Sequence, residues 1–515
     1  MLVILVIYIP KATKRREINT KCLFSQEFQN KLFIFLHFAN CTLHFYPIII
    51  CVCRKKVVFL HRKSEIQSFM TRKYSLLVIA LLCVYTQAQT RYIGGDISML
   101  PKYEQYSSGY KDVNNKKVND LITWLISDCG WNTFRVRLFV NPKQKAPDYT
   151  TTDYAIVQDL AYVTALGKRI KEAGGYFLLD FHYSDSWVDA GHIQAPKAWK
   201  GLSDELMADS LGQYTHRVLQ ALKEAGATPD LVQVGNEIMY GLCDIRVHPY
   251  NYNGDNWDGY LGLLRAGCKA VREECPNAQI IIHTDRPSNT AYNTYYYNKL
   301  KNNNVDFDVI GLSYYPFWHG YLNSEQVADK SDKNNLVNAL KNLKTIFPDK
   351  RVQIVECAYN FQYWPSEGVN YDTRDAWPCS KQGQYNFVKD LVDNLKPLEN
   401  VDGISYWFPE DAGNGDYVNW TTKAGLVEET WSNRGFWEEG ATTSGHAINR
   451  TGSVSATKTA ADVCAPYYMR NFYNEGQGIE DAVDRSSSNR KFVKEGRIVI
   501  ERNGQWFDLT GARIE

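Results

Sequence analysis

Leu231-Val232-Gln233-Val234-Gly235-Asn236-Glu237-Ile238 is an almost wholly apolar run that ends in an amide followed by a carboxylic acid. Its length and branched aliphatics are those of a strand buried on both faces, which is how strands of a parallel sheet read. Seven runs of the same kind flank it, at residues 92–98, 133–140, 176–184, 280–285, 308–316, 352–359 and 403–410. Stretches of helical period lie between them, among them 118–129, 155–173, 206–225, 260–275, 337–347 and 385–395. Glycine follows several of these, at Gly130, Gly174 and Gly226, where a left-handed cap suits a residue without Cβ. Eight β–α units over roughly 350 residues predict an α/β fold, a closed (β/α)8 TIM barrel with long βα loops. A doubly wound open sheet is the competing architecture, but no Gly-rich phosphate loop follows any run.

In such a barrel chemistry belongs at the C-terminal strand ends. Those ends read Gly94-Gly95-Asp96, Arg135-Val136-Arg137, Asp180 to Trp187, Gly235-Asn236-Glu237, His283-Thr284-Asp285, Ser313 to Pro316, Glu356 and Tyr406-Trp407. Polar groups gathered at one rim of an apolar barrel are costly to desolvate unless they act together. Glu237 and Glu356 stand out, because each ends an apolar run and the fourth and seventh strands face each other across the mouth. Paired carboxylates are what glycoside hydrolysis needs, one a neutral acid and the other an ionised nucleophile or base. Taken singly, a strand-end Glu is more often a surface or ion-paired residue. Jointly, with Asn236 placed to hold a sugar hydroxyl, the two point to a site. Arg137 is expected to donate to Glu356 and keep it ionised, with a hydroxyl from Tyr314 or Tyr315. His182 reads equally well as a satisfied barrel histidine or a substrate contact. Trp187, Trp318 and Trp407 follow separate strands directly, and all 13 Trp lie after residue 89, which suits stacking on sugar faces.

Of the 515 residues 22% are charged, and Lys+Arg number 58 against 57 Asp+Glu. Residues 1–89 hold 13 of those cations and 3 of the anions, so the remainder is near −9. An anionic body argues against a nucleic-acid partner. At Met70 a basic flank, Thr71-Arg72-Lys73, precedes an apolar run and then Thr86-Gln87-Ala88, the pattern of a signal peptide cut after Ala88. Export to the periplasm, cell surface or medium is therefore expected, with residues 1–69 an upstream extension of no structural role. A membrane anchor over 32–52 is the alternative, but His37, Asn40, His44 and Pro47 interrupt it. Seven of the 12 cysteines follow residue 88, too few and too irregular for a disulfide framework or a zinc site. Without a His-x-His at the end of the first strand, a metal-dependent amidohydrolase is disfavoured despite His182 and His283.

The runs Phe181 to Trp187, Val234 to Ile238, Ser313 to Gly320 and Tyr406-Trp407 resemble those of glycoside hydrolase family 53, the arabinogalactan endo-β-1,4-galactanases of the clan A barrels. The similarity runs from about Tyr92 to Trp437. It implies a retaining mechanism with Glu237 as acid/base and Glu356 as nucleophile, and a substrate in the β-1,4-galactan side chains of pectin. Asp96, Arg137, His182, Asp185, Trp187, Asn236, His283, Tyr314, Trp318 and Trp407 are then the expected substrate-binding residues. No cofactor, metal or nucleotide is expected, and the chain is expected to act as a monomer. Some bacterial relatives hold calcium in an acidic loop after the nucleophile. The loop here, Asn360 to Gly368, carries one Glu among aromatics and is a poor cage for that cation, although Trp364 can extend a sugar surface. Ala412 to Asp416 reads as a glycine turn. After about Gly440 the composition turns to Ser, Thr, Ala and Gly, the catalytic domain is taken to end at 484, and a linker leads to a short tail. There Arg497 to Asp508 around Asn503-Gly504 predicts a β-hairpin, similar to the C-terminal sorting tails of proteins secreted by Bacteroidetes-type bacteria. Other readings are a clan A endoglycanase acting on mannan, xylan or glucan, and a non-catalytic glycan-binding barrel.

Overall fold

The computed structural model describes residues 90–106, 109–248, 252–323, 335–362, 369–413, 433–438 and 445–473, and the backbone of three short strands toward each end of the chain. Within 89–515, eight parallel strands close into a barrel: β1 (Tyr92–Asp96), β2 (Thr133–Leu138), β3 (Tyr176–Phe181), β4 (Leu231–Val234), β5 (Gln279–Thr284), β6 (Val309–Tyr314), β7 (Arg351–Cys357) and β8 (Val401–Trp407). Closure comes where β8 pairs with β1, Gly403 opposite Tyr92 through Trp407 opposite Asp96. All eight expected runs are strands. Several stop earlier than their apolar pattern suggests, because Gly235 and Glu237 after β4, Tyr183 after β3 and Phe408 after β8 adopt positive φ and leave the ladder.

Between and after the strands, among the described residues, lie the helices α1 (Leu121–Ser127), α2 (Leu160–Glu172), α3 (Asp204–Glu224), α4 (Trp257–Glu274), α5 (Thr290–Asn302), α6 (Leu336–Ile346) and α7 (Lys381–Leu395). Each begins at an Asp, Asn or Ser whose side chain accepts a main-chain N–H of the first turn, for instance Asp159 from Tyr162 and Ser203 from Leu206. Gly130, Gly174 and Gly226 take φ of +72°, +86° and +75°, as expected. Helix α5 was not among the helical stretches read from the sequence. Its Tyr, Thr and Asn residues are weak helix formers, and its helicity depends on burying Tyr292, Tyr296, Tyr297 and Leu300 against the barrel.

Side-chain alternation divides each strand between two environments. Outward residues join the large core shared with the helices. Inward residues form an apolar floor of Leu178, Leu231, Ile281, Val309 and Val355, with Tyr92 and Tyr176 packed on it. Strand β7 breaks the alternation. Leu312 pairs with Ile354 but Ser313 with Glu356, so one extra residue sits in β7. This bulge lets Val355 join the floor while Glu356, its neighbour, also turns inward to the cavity above.

The chain after β8 returns beneath the barrel. Arg91, just before β1, donates to the Phe472 carbonyl at 2.8 Å, and Trp131, just before β2, donates to the Pro466 carbonyl at 2.9 Å. Six of the seven cysteines here are buried, Cys379 is half-buried and none is bridged among the described residues. In the tail, Arg497–Arg502 and Gln505–Phe507 pair antiparallel across Asn503-Gly504, the expected hairpin. Arg490–Lys494 adds a third strand at the start of the tail, whose first expected residue is Lys491 after a linker around 485–490.

Residues 1–88 form a separate unit with antiparallel strands Lys31–Phe35, Ile49–Cys53 and Lys56–Leu60. The described residues of the alternative anchor segment 32–52 lie in two of these strands, not in a helix. No helix among the described residues is long and apolar enough to cross a membrane. The expected signal peptide at Met70–Ala88, Trp364 and most of Ala412 to Asp416 lie outside the described residues.

Candidate active site

Above the apolar floor the barrel interior turns charged, and Arg135 is its centre. From β2 its guanidinium lies 2.5 Å from Asp96, 2.8 Å from Asp180 and 2.9 Å from Glu356, and also donates to Asn236 Oδ1 at 2.8 Å. All of these groups are buried. One cation among three carboxylates is favourable only because every charge is paired; removing a partner from such a buried set costs about 3–5 kcal/mol.

Over this layer opens a cavity of about 290 Å³ at the C-terminal strand ends, near the small end of ligand pockets, which run from roughly 300 Å³ upward. Glu237, Glu356, Asn236, Arg137, His182, Trp187, Trp318 and Trp407, all expected at the site, line it. Glu356 accepts from the Tyr315 hydroxyl at 2.9 Å in addition to the Arg135 ion pair. Burial raises its carboxyl above the usual range, and Arg135 and Tyr315 oppose that rise. Glu237 sits in the turn after β4 with φ of +48°, a strained conformation for a residue with a side chain. Its Oε1 accepts from Ser313 Oγ at 2.5 Å, and no cation pairs with it among the described residues. Burial, with the Glu356 charge second, pushes the Glu237 carboxyl well above the usual range. The two acids thus hold protons with unequal strength.

The walls are aromatic. The ring centroids of Trp318 and Trp407 lie 5.4 Å and 6.1 Å from that of Tyr315, and Trp187 is tethered by its Nε1–H to Asp153 at 3.3 Å. His182 is fixed at both nitrogens: Nδ1 accepts from the Val188 N–H at 2.9 Å and Nε2 lies 3.0 Å from Asp180.

Five expectations are corrected. Arg135, not Arg137, pairs with Glu356. Both face inward, but Arg135 is a layer deeper, level with the carboxylates, while Arg137 reaches the rim and stacks 4.6 Å over Phe408. Of the two tyrosines expected to serve Glu356, Tyr315 holds it, whereas Tyr314, expected at the substrate, is not there: with Ser313 inward, alternation sends Tyr314 outward, where its hydroxyl donates to the Gly320 carbonyl and its ring stacks on Phe387. Asp96 is wholly buried beneath the cavity and braces Arg135. Asp185 caps the main-chain N–H of Lys197 and does not border the cavity. His283 is also wholly buried, bonded to Ser313 at 2.8 Å and clear of the cavity.

Asp153, Asp189, Asn360, Phe408 and Arg434, none singled out by strand-end position, also line the cavity, and Ser313 serves Glu237 from beneath it. Arg135 stands in the sequence as the first half of Arg135-Val136-Arg137, and strand parity does not rank the two arginines. Asp285 lies deep near Arg286, 2.8 Å away, and burial raises its carboxyl to about 7. No three His, Cys, Asp or Glu among the described residues gather as metal ligands, and the loop 363–368 lies outside them.

Two carboxyls of unequal proton affinity, in one aromatic-walled cavity at the catalytic end of a TIM barrel, form a site for acid-assisted bond cleavage. The profile of Glycosyl hydrolase family 53 matches residues 92–449, which holds every group described above. The chain is 33% identical over 332 residues to the arabinogalactan endo-β-1,4-galactanase of Cellvibrio japonicus, covering 62% of this chain and 80% of that protein. It is 30% identical to arabinogalactan endo-β-1,4-galactanase A of Emericella nidulans, covering 68% and 91%. Among solved structures, the GH53 catalytic domain of Ignisphaera aggregans superposes with a TM-score of 0.58 at 26% identity, covering 74% of this chain and 96% of that one. The chain belongs to glycoside hydrolase family 53 and is a glycoside hydrolase.

Proposed function

We propose that the protein is an exported, retaining endo-β-1,4-galactanase that cleaves the β-1,4-galactan side chains of pectic arabinogalactan, with Glu356 as nucleophile and Glu237 as acid/base. The observation that carries the reading is the asymmetry of the two carboxyls. Glu356 lies against the Arg135 guanidinium and the Tyr315 hydroxyl, which favour its anion, while Glu237 has an uncharged partner and retains its proton to higher pH. The named relatives support the substrate.

In the first half-reaction a Glu356 oxygen forms a bond to the anomeric carbon as the glycosidic C–O bond breaks, and Glu237 gives its proton to the departing oxygen. In the second, Glu237, now an anion, takes a proton from water as that water's oxygen attacks the anomeric carbon and frees Glu356. Two inversions retain configuration. Asn236 is held by Arg135 at 2.8 Å and by the Val188 carbonyl at 2.8 Å, and so presents a fixed amide to a sugar hydroxyl. Trp187, Trp318 and Trp407 offer faces for the sugar C–H surfaces. Export rests on the Met70–Ala88 pattern.

A digest of purified galactan, mannan, xylan and glucan, with product length and first-formed anomer followed by NMR, tests the proposal. Release of short β-anomeric galactooligosaccharides is expected. Activity on another glycan and none on galactan overturns the substrate; first-formed α-anomer overturns the retaining mechanism; binding without any hydrolysis overturns the enzyme.

A further inference from the structure

Beneath Glu237 two buried side chains form a hydrogen-bond chain that the mechanism above leaves unused. Ser313 on β6 sets its Oγ 2.5 Å from Oε1 of Glu237 and 2.8 Å from Nε2 of His283 on β5. Both Ser313 and His283 are wholly buried. The other ring nitrogen, Nδ1, meets the Gln233 amide nitrogen at 3.1 Å, the main-chain N–H of Glu237 at 3.3 Å and Asn236 Oδ1 at 3.0 Å. Two of these three are donors. The third, Asn236 Oδ1, is an acceptor that takes a hydrogen bond from Arg135 and keeps a second lone pair, its orientation set because the same amide donates to Val188 through its nitrogen; the two donors therefore decide the tautomer.

The proton inventory then runs one way. If Nδ1 accepts, the ring proton is on Nε2 and donates to Ser313 Oγ, which leaves the serine hydroxyl proton one acceptor, Oε1 of Glu237. With the reverse tautomer the buried Glu237 N–H loses its acceptor, and the serine donates to the imidazole instead of the carboxyl. The first arrangement satisfies every donor in the chain.

We propose that His283 and Ser313 are positioning residues that keep Oε1 of Glu237 an acceptor, so that the proton the acid transfers is held on Oε2, the oxygen without a protein partner among the described residues. The inference rests on the assignment of Glu237 as the acid and deepens it. A carboxyl whose proton can settle on either oxygen presents it to the leaving group only part of the time. The chain from β5 removes that ambiguity without adding a charge, since burial and the nearby Arg135 keep the His283 ring neutral.

The test uses the full chain with Ser313→Ala and Ser313→Thr, assayed on galactan and on an aryl β-galactobioside with a good leaving group. Ser313→Ala is expected to lower kcat on galactan between about tenfold and a hundredfold with KM little changed. The aryl substrate should be spared in its first step, and Ser313→Thr should restore most of the loss. The alkaline limb of the Ser313→Ala profile should move to higher pH, because a donor that favours the Glu237 anion is gone while Glu356, Asp285 and Asp189, the other acids that face it, are untouched. Equal loss on both substrates, or no rescue by threonine, overturns the proposal. So does a wild-type His283 whose ring nitrogen shifts report the Nδ1–H tautomer, a measurement that needs no variant. Glu237→Ala in the same assay separates the two readings: if it harms both substrates alike the acid assignment falls, and if only Ser313→Ala fails to discriminate, the positioning role alone falls.

Discussion

Glu356 and Glu237 border one cavity from opposite walls of the barrel, and the materials around them differ in kind. On the β7 side Glu356 meets a guanidinium at 2.9 Å and a phenol at 2.9 Å, and the guanidinium is itself braced by Asp96 and Asp180. On the β4 side Glu237 meets a serine hydroxyl backed by an imidazole, with the acids Asp285 and Asp189 adding to its electrostatic cost of ionising. Burial raises both carboxyls. What separates the proposed acid from the proposed nucleophile is whether the adjacent donor carries a charge, because only a charged donor offsets much of the desolvation of an anion.

The largest test of that contrast is Glu356→Ala, expected to lower kcat/KM on galactan by about 10⁴-fold or more with the fold intact by circular dichroism. Glu237→Ala should cost roughly 10²- to 10⁴-fold on the polysaccharide and far less in the first step with an activated aryl glycoside. Parallel losses on both substrates would erase the distinction between the walls. Arg135→Ala should destabilise the protein by about 3–5 kcal/mol in chemical denaturation, since three buried carboxylates lose their cation. Arg137→Ala, at the rim over Phe408, should cost under about 2 kcal/mol, and a reversed order would move the ion-pair centre to the rim.

The pH profile sharpens the comparison further. In the proposed roles Glu356 must be ionised, so activity is lost as pH falls through its value. Glu237 must be protonated for the first step, so activity is lost as pH rises through its value. Both values are raised, so both limbs should lie above about 4.3, where an unperturbed Glu titrates. Tyr315→Phe removes a donor from the Glu356 anion alone and should move only the acidic limb upward, by roughly one pH unit. A shift of the alkaline limb instead would reverse the two roles.

Much of this was legible in the chain itself. The eight barrel strands follow from buried parallel strands being apolar on both faces, and three helix ends follow from the caps at Gly130, Gly174 and Gly226. The three cleft tryptophans were readable because each directly follows a strand end. Depth within the barrel was not readable. Arg135 and Arg137 share a parity, and only the stagger of neighbouring strands places one among the carboxylates and the other at the rim. Tyr314 and Tyr315 are adjacent and chemically identical, and the inward face of β6 at Ser313 decides between them. His283 looked like a substrate contact because it ends a strand, yet one layer of depth makes it a buried partner of Ser313.

By itself the sequence determined the barrel, the mouth at which the polar groups gather and the two glutamates that gather there. These depend on composition and period, which are local properties of the chain. The tertiary structure alone decided which arginine and which tyrosine serve Glu356, and what stands behind Glu237. Those pairings join strands tens of residues apart, and they hinge on stagger and on the single extra residue in β7 that turns Glu356 inward beside Val355.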